Sequence, residues 1–271
     1  MQGQRLMLAG EDHRYAQLQA GHHGRCDARG LDGDDLGDPV IAEATSEFSA
    51  DGLHQHRVEG YASVVVTFKA PGQTPGDASA DQMRLLADLA ERFGHNDLRV
   101  MHDQNVALPH VHKSDLPALY AELRAAGLAT ANAGLTSDII ACPGGDFCSL
   151  ANAKSIPIAE SIQRRFDDLD YLFDIGEIDL NISGCMNACG HHHVGHIGIL
   201  GVDKKGQEFY QVSLGGSAGR ESSLAQILGP SFAQDDMPDV IDKIIKVYVE
   251  QRTEEESFLD TYRRIGIDPF K

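Results

Sequence analysis

The sequence predicts an α+β protein on three observations. A β-branched run, Tyr61-Ala-Ser-Val-Val-Val-Thr-Phe-Lys69, is followed by helix, two short strands and helix, an order that lays helices on an antiparallel sheet. Near Ala133 the composition changes to glycine-rich turns, most of the cysteines and a histidine cluster. The carboxyl end returns to helical periodicity, which closes helices over a second sheet, antiparallel or mixed. These shifts divide the 271 residues into a poorly ordered or divergent segment 1–55, an α+β unit 56–132 and a cysteine-bearing unit 133–271.

Residues 1–55 are dense in Gly, His and Asp and carry neither helical nor strand periodicity, and Cys26 lies there outside any ligand spacing. After the strand at Tyr61, Ser79 and Gln82 form a capping-box signature, and Met83, Leu86, Ala87, Ala90 and Phe93 follow on one helical face before Gly94. Short strands are expected at 98–102 and 105–108. A second helix is expected from Ser114, burying Leu116, Leu119, Tyr120 and Leu123, to Gly127. Beyond Ala133, strands are expected at 136–141, 177–183, 194–200 and 208–214, with a helix over 158–166. Ile241, Ile244, Ile245 and Tyr248 keep the helical stripe after Pro238, and Phe258, Leu259, Tyr262 and Ile265 continue it.

Charge narrows the function. Lys and Arg number 23 against 41 Asp and Glu, a formal net charge of -18, which disfavours nucleic acid and anionic membrane as main partners. No long apolar run and no basic, apolar leader are present, so a soluble cytoplasmic protein is expected. An odd number of unevenly spaced cysteines in such a chain points to metal or redox chemistry rather than structural disulfides.

The informative feature is Cys142-Pro-Gly-Gly-Asp-Phe-Cys148 with Cys185-Met-Asn-Ala-Cys189. Two pairs of soft thiolates on short turns select zinc or an iron–sulfur cluster, and the wider first gap suits a cluster better than a zinc ribbon. His191, His192, His193 and His196 invite a zinc reading too. In an extended strand, however, His191 and His193 share one face while His192 and His196 share the other.

The segments TSDIIACPGGDFCSLANAKSIPIAESI and INISGCMNACGHHHVGHIGILGVDKKGQEFYQVSLGGSAG resemble the sirohaem and 4Fe-4S segment of the sulfite and nitrite reductase haemoproteins. QNVALPHVHKSDLPALYAELRAAGLAT resembles the ferredoxin-like half-domain that precedes it, so the likeness runs over roughly 57–271. The resemblance implies a ferredoxin-like half-domain followed by an α/β sirohaem and iron–sulfur domain. It implies a 4Fe-4S cluster on Cys142, Cys148, Cys185 and Cys189, with Cys189 also touching the sirohaem iron. The activity implied is six-electron reduction of sulfite to sulfide or nitrite to ammonia, with a flavoprotein or a ferredoxin as electron donor. Asn187 and Gly190 would form a turn whose N–H groups tune the cluster, and His191 and His193 are candidate catalytic proton donors. Sirohaem is rich in carboxylates and the substrate is a small anion, which singles out Lys154 and Arg220 as cofactor contacts. Lys204 and Lys205 fit an exposed turn. Gly215, Gly216 and Gly219 can bring backbone N–H groups to a carboxylate.

Members of that family are about twice as long and built from two similar halves, of which this chain resembles the second. The expectation is a truncated form, a fragment or one piece of a split enzyme whose pocket is rebuilt by a complementary N-terminal-half chain or a second copy. The alternative is a non-catalytic iron–sulfur or zinc-binding remnant without a substrate pocket. The Ser-Ile-Pro-Ile-Ala and His-His-His-Val-Gly-His segments resemble those of bacterial sulfite reductases of the assimilatory kind, a resemblance that implies sulfite.

Overall fold

The computed structural model describes residues 52–219, 221–253 and 256–271, so Cys26 and Arg220 lie outside the described residues, as does nearly all of the 1–55 segment. Two compact units emerge, one ending at Ala133 and the other spanning Gly134–Lys271 with Pro71–Gly76 added to it. Among the described residues no helix is long and apolar enough to cross a membrane.

The N-terminal unit is a sheet of four antiparallel strands in the order β1-β2-β4-β3. Its strands are β1 (Leu53–Gln55), β2 (Tyr61–Val66), β3 (Arg99–Val100) and β4 (Val106–His112). Helix α1 (Ala80–Phe93) starts with the expected capping box: Gln82 N–H donates to Ser79 Oγ at 3.2 Å and Ser79 N–H to Gln82 Oε1 at 2.9 Å. Such a cap contributes about 1 kcal/mol. The buried stripe of α1 is Leu86, Leu89 and Ala90, whereas Met83 and Ala87 are exposed. Apolar residues crowd 83–90, so periodicity alone fits two neighbouring faces, and contact with the sheet selects the one with more leucine.

Strand β4 runs four residues beyond its expected end, through Pro109. The β2–β4 register shifts between Ala62 and Val64, and Pro109, which has no N–H to donate, falls at that irregularity. Ser114 is not a cap. The His112 ring accepts from Ser114 N–H at 3.3 Å, a single 3-10 turn follows, and α2 occupies Leu116–Ala125. Leu116, Leu119 and Leu123 pack with Val64, Val66, Leu108 and the α1 leucines as one core.

In the C-terminal unit a five-stranded mixed sheet has the order β5-β6-β7-β8-β9. Strands β5 (Ile140–Ala141), β6 (Leu180–Ser183) and β7 (Ile197–Lys204) are parallel. Strands β8 (Gln207–Leu214) and β9 (Gln226–Ile227) are antiparallel additions. Lys205 and Gly206, at φ +57 and +80, make the two-residue hairpin turn between β7 and β8, which places Lys205 in the turn expected for it.

Helices α3 (Gly144–Phe147), α4 (Ile156–Arg165), α5 (Leu169–Ile175), α6 (Met237–Gln251) and α7 (Phe258–Ile265) complete the unit. The stripe Ile241, Ile244, Ile245 and Tyr248 is buried with Ile158, Ile162, Ile182, Ile199 and Phe258 in a second core. Helix α6 does not run on into α7. Arg252 adopts an extended backbone, Ser257 caps a new helix, and Tyr248 Oη donates to the carbonyls of Ile175 and Glu256 at 2.9 and 3.0 Å across the break.

Candidate metal centre

The parallel pairing of β5 with β6 puts the chain leaving both strands at one sheet edge, and each exit carries a cysteine pair. Cys142 follows Ala141 directly, its N–H donating to Ile182 O at 3.1 Å. Cys185 is one residue further from β6, behind Gly184, whose N–H donates to Cys142 Sγ at 3.1 Å. The two loops therefore meet at a backbone-to-sulfur hydrogen bond.

Glycines make the approach possible. A Cβ at Gly184 would lie 2.6 Å from Ala153 O and 2.9 Å from Gly144 Cα, and one at Gly144 would lie 2.4 Å from Ser155 N. Gly184 O accepts from Asn152 and Ala153 N–H at 2.8 and 3.0 Å, and Gly145 N–H donates to Ala153 O at 2.9 Å. One turn of helix, α3, then carries the chain to Cys148 at its C-cap. Buried Ser155 brings its hydroxyl to 3.4 Å from Cys142 Sγ.

The second loop is shaped by left-handed residues. Ala188 and His191 have φ +56 and +55, with Ala188 N–H on Cys185 O at 3.1 Å and His191 N–H on Ala188 O at 2.8 Å. Gly190 folds the loop back on β6: its N–H donates to Ser183 Oγ at 3.1 Å, and a Cβ there would sit 2.0 Å from Ile182 O. The four cysteines are unbridged; Cys142 and Cys148 are half-buried, Cys185 is buried and Cys189 is exposed beside exposed Asn187. Phe147, Leu150 and Met186, which flank the cysteines, are 80%, 70% and 81% exposed. These exposed apolar side chains are a feature that sequence reasoning missed, although they stand beside the motif.

The histidine run is not a strand. Residues 191–196 form successive turns, and β7 begins only at Ile197, so the two-faced arrangement expected for extended chain does not occur. Left-handed His191 starts the turn, which folds the His192 carbonyl back against Gly198, where a Cβ would lie 2.0 Å from it. His191 and His193 are exposed, while His192 is buried with its ring 4.0 Å from that of His193. Burial, and then His193, push the His192 imidazole down to about 4, so it is neutral at pH 7. Its Nδ1 has no hydrogen-bond partner among the described residues. His196 is half-buried, accepting at Nδ1 from Asp179 N–H at 3.1 Å.

Lys154 stands beside the first loop. Its Nζ is 3.4 Å from the Asp146 carboxylate, and its backbone is clamped by the Tyr210 hydroxyl on its carbonyl at 2.9 Å and by Glu208, which accepts its N–H at 3.1 Å. Lys204 lies over the Phe209 ring. Gly215 and Gly216 are consumed by internal packing rather than left open. A Cβ would meet Tyr262 at 2.0 Å in the first case and Gly195 O at 2.5 Å in the second, and Gly215 N–H already donates to His196 O at 3.0 Å. Gly219 is the least crowded of the three.

Among the described residues no three His, Cys, Asp or Glu side chains are arranged around a single metal ion. A cluster would place its own iron and sulfide atoms between the thiolates, and so would suit cysteines set further apart than a single ion needs. Two thiol loops interlocked by glycine, an N–H donated to sulfur and unbridged cysteines fit that larger group.

Residues 135–271 match the family described as nitrite and sulphite reductase 4Fe-4S domain, and residues 54–126 the nitrite/sulfite reductase ferredoxin-like half domain. Among similar proteins, a ferredoxin–nitrite reductase of Synechococcus elongatus is 29% identical over 63% of this chain and 34% of its own length. A sulfite reductase (ferredoxin) of Mycobacterium tuberculosis is 30% identical over 68% of this chain and 35% of its own. The solved structure of the Mycobacterium tuberculosis NirA protein superposes with a TM-score of 0.67 at 27% identity, covering 83% of this chain and 42% of that one. The chain thus spans about a third of the length of the curated relatives it matches.

Proposed function

The chain belongs to the nitrite and sulphite reductase 4Fe-4S family, and from that premise we propose that it is the cluster- and sirohaem-bearing half of a reductase for sulfite or nitrite. Cys142, Cys148, Cys185 and Cys189 would hold the 4Fe-4S cluster, and Cys189 would be the residue shared with the sirohaem. The observation that carries this reading is the Gly184 N–H on Cys142 Sγ, which ties the first cysteine pair to the residue that introduces the second. When bound, the two groups supply one-electron steps to a small anion at the haem iron.

The chain's own residues prepare that chemistry. The Gly184 N–H and the Ser155 hydroxyl lie against Cys142 Sγ and fix its position. Exposed Cys189 is the sulfur most open to a second group, as a bridging ligand has to be. Exposed Phe147, Leu150 and Met186 give a macrocycle apolar contact, and Lys154 supplies the cation for its carboxylates or for the anion. His191 and His193, exposed beyond Cys189, are the groups that hold protons for the reduced product. Of the two substrates we favour sulfite, on the resemblance of the 155–159 and 191–196 segments to sulfite reductases. Ferredoxin is the electron donor we favour, since the relatives above carry it in their names. A complementary N-terminal-half chain would cover those exposed apolar side chains and bring further anion-binding charge.

Anaerobic reconstitution tests the reading. About four irons per chain are expected, together with a broad cluster absorption that Cys142→Ser or Cys185→Ser removes. Cys189→Ser should separate the haem spectrum from that of the cluster. Sulfite turnover should be weak until a first-half chain is added. A chain that takes up zinc in place of iron, one ion to four thiolates, would overturn the proposal.

A further inference from the structure

The N-terminal unit carries a second group of metal-ligating side chains, and the reductase reading does not use it. His56, just past β1, and His110, at the irregularity in β4, meet edge to face with ring centroids 5.1 Å apart. His56 Nε2 and His110 Nδ1 stand 3.0 Å apart. Both outer nitrogens face acceptors: His56 Nδ1 is 3.3 Å from Val58 O, and His110 Nε2 is 3.6 Å from Asp97 Oδ2. Asp97 is itself held by Arg99 at 2.8 Å. Tyr61 walls the cluster, its ring 5.7 Å from His56, 5.1 Å from His112 and 5.8 Å from His95.

We propose that His56 Nε2 and His110 Nδ1 form a two-imidazole site for a divalent transition-metal ion such as nickel, copper or zinc, with water completing the coordination. Metal–nitrogen bonds of about 2.0–2.1 Å set two imidazole donors about 2.9 Å apart at a right angle and about 3.3 Å apart at the tetrahedral angle. The observed separation lies inside that interval. A ligating imidazole also needs its other nitrogen protonated and held, and here Val58 O and the Asp97 carboxylate serve the two rings. Without metal, His56 Nδ1 accepts from Val58 N–H at 2.9 Å and the 3.0 Å contact is a hydrogen bond from His56 Nε2–H to His110 Nδ1; the metal would displace that proton, and His56 Nδ1–H would turn from Val58 N–H to Val58 O. With two protein donors the site is distinct from a closed structural zinc centre. It would pin the end of β1 to β4.

Nickel ion alone is the probe, added to the full chain and to a Cys142→Ser/Cys185→Ser variant that removes thiolate competition. One nickel per chain is expected at this site in both. Calorimetric affinity should weaken tenfold or more in His56→Ala and in His110→Ala, and several-fold in Asp97→Asn. In the unmutated chain, substoichiometric nickel should broaden the His56 and His110 imidazole resonances first, a measurement that does not depend on any variant folding. Affinity unmoved by either histidine substitution, or broadening that begins in the 191–196 histidines, would overturn the site.

Discussion

The two cysteine loops occupy equivalent places, each leaving the end of a parallel strand, yet they are built by different means. The loop from Cys142 to Cys148 is set by packing, with Gly144 and Gly184 letting backbones touch, buried Ser155 behind, and a turn of helix carrying the chain between thiols. The loop from Cys185 to Cys189 is set by its own dihedral angles, with Ala188 and His191 left-handed and Gly190 pressed on Ile182 O. A packed loop fails when something is added to it. A twisted loop also responds to residues that touch nothing.

The largest effect should come from Gly190→Ala, whose methyl has only 2.0 Å to the Ile182 carbonyl. A loss of about 3 kcal/mol or more is expected, with iron uptake abolished, read by denaturant unfolding and iron analysis. Gly145→Ala, where the nearest atoms are 3.4 Å away, should cost less than about 1 kcal/mol and leave iron content intact. Equal effects at the two glycines would show that the distance to the nearest backbone atom does not set the cost, whereas Gly144→Ala, 2.4 Å from Ser155 N, should be as damaging in the packed loop as Gly190→Ala is in the other.

Next in size is a pH effect in the second loop. His192 is pushed down to about 4 in the folded chain, below its ordinary 6.5, so the unfolded chain binds the extra proton between those values. Its stabilising contribution is therefore complete above about pH 6.5 and declines as pH falls towards 4, by up to about 3 kcal/mol. His192→Leu should flatten that slope in denaturant titrations between pH 7 and 4, whereas an unchanged slope would assign the dependence to other groups.

Smaller effects separate packing from twist. Ser155→Ala should cost about 1 kcal/mol and shift the reduction potential of a reconstituted cluster through Cys142. Ala188→Gly should instead raise the melting temperature, since relief of the left-handed alanine is worth about 1 kcal/mol.

Much of this was legible in the sequence. Ser79, Gln82 and Gly94 bound α1 where the capping rules place its ends, and the Ile241-to-Tyr248 stripe is buried as its spacing demands. The pairing of the cysteines on two short turns was legible as well. What escaped depends on tertiary contact. Thr136 and Ser137 look like strand residues, but they are buried ahead of β5, where Gln163 Nε2 donates to Ser137 O at 3.1 Å. The histidine run escaped because a left-handed His191 and the close approach of the His192 carbonyl to Gly198 are invisible to propensity. The interlock at Gly184 escaped for the same reason, since a glycine declares that space is short without saying which chain fills it.

Because Cys142 is held by the polypeptide while Cys189 faces solvent, the receptacle is finished on one side and open on the other. In a cluster-bearing chain, iron and sulfide would be delivered through the open side during maturation. Dioxygen would arrive by the same door, so corrosion would begin at the Cys189 corner and spare the Cys142 corner longest.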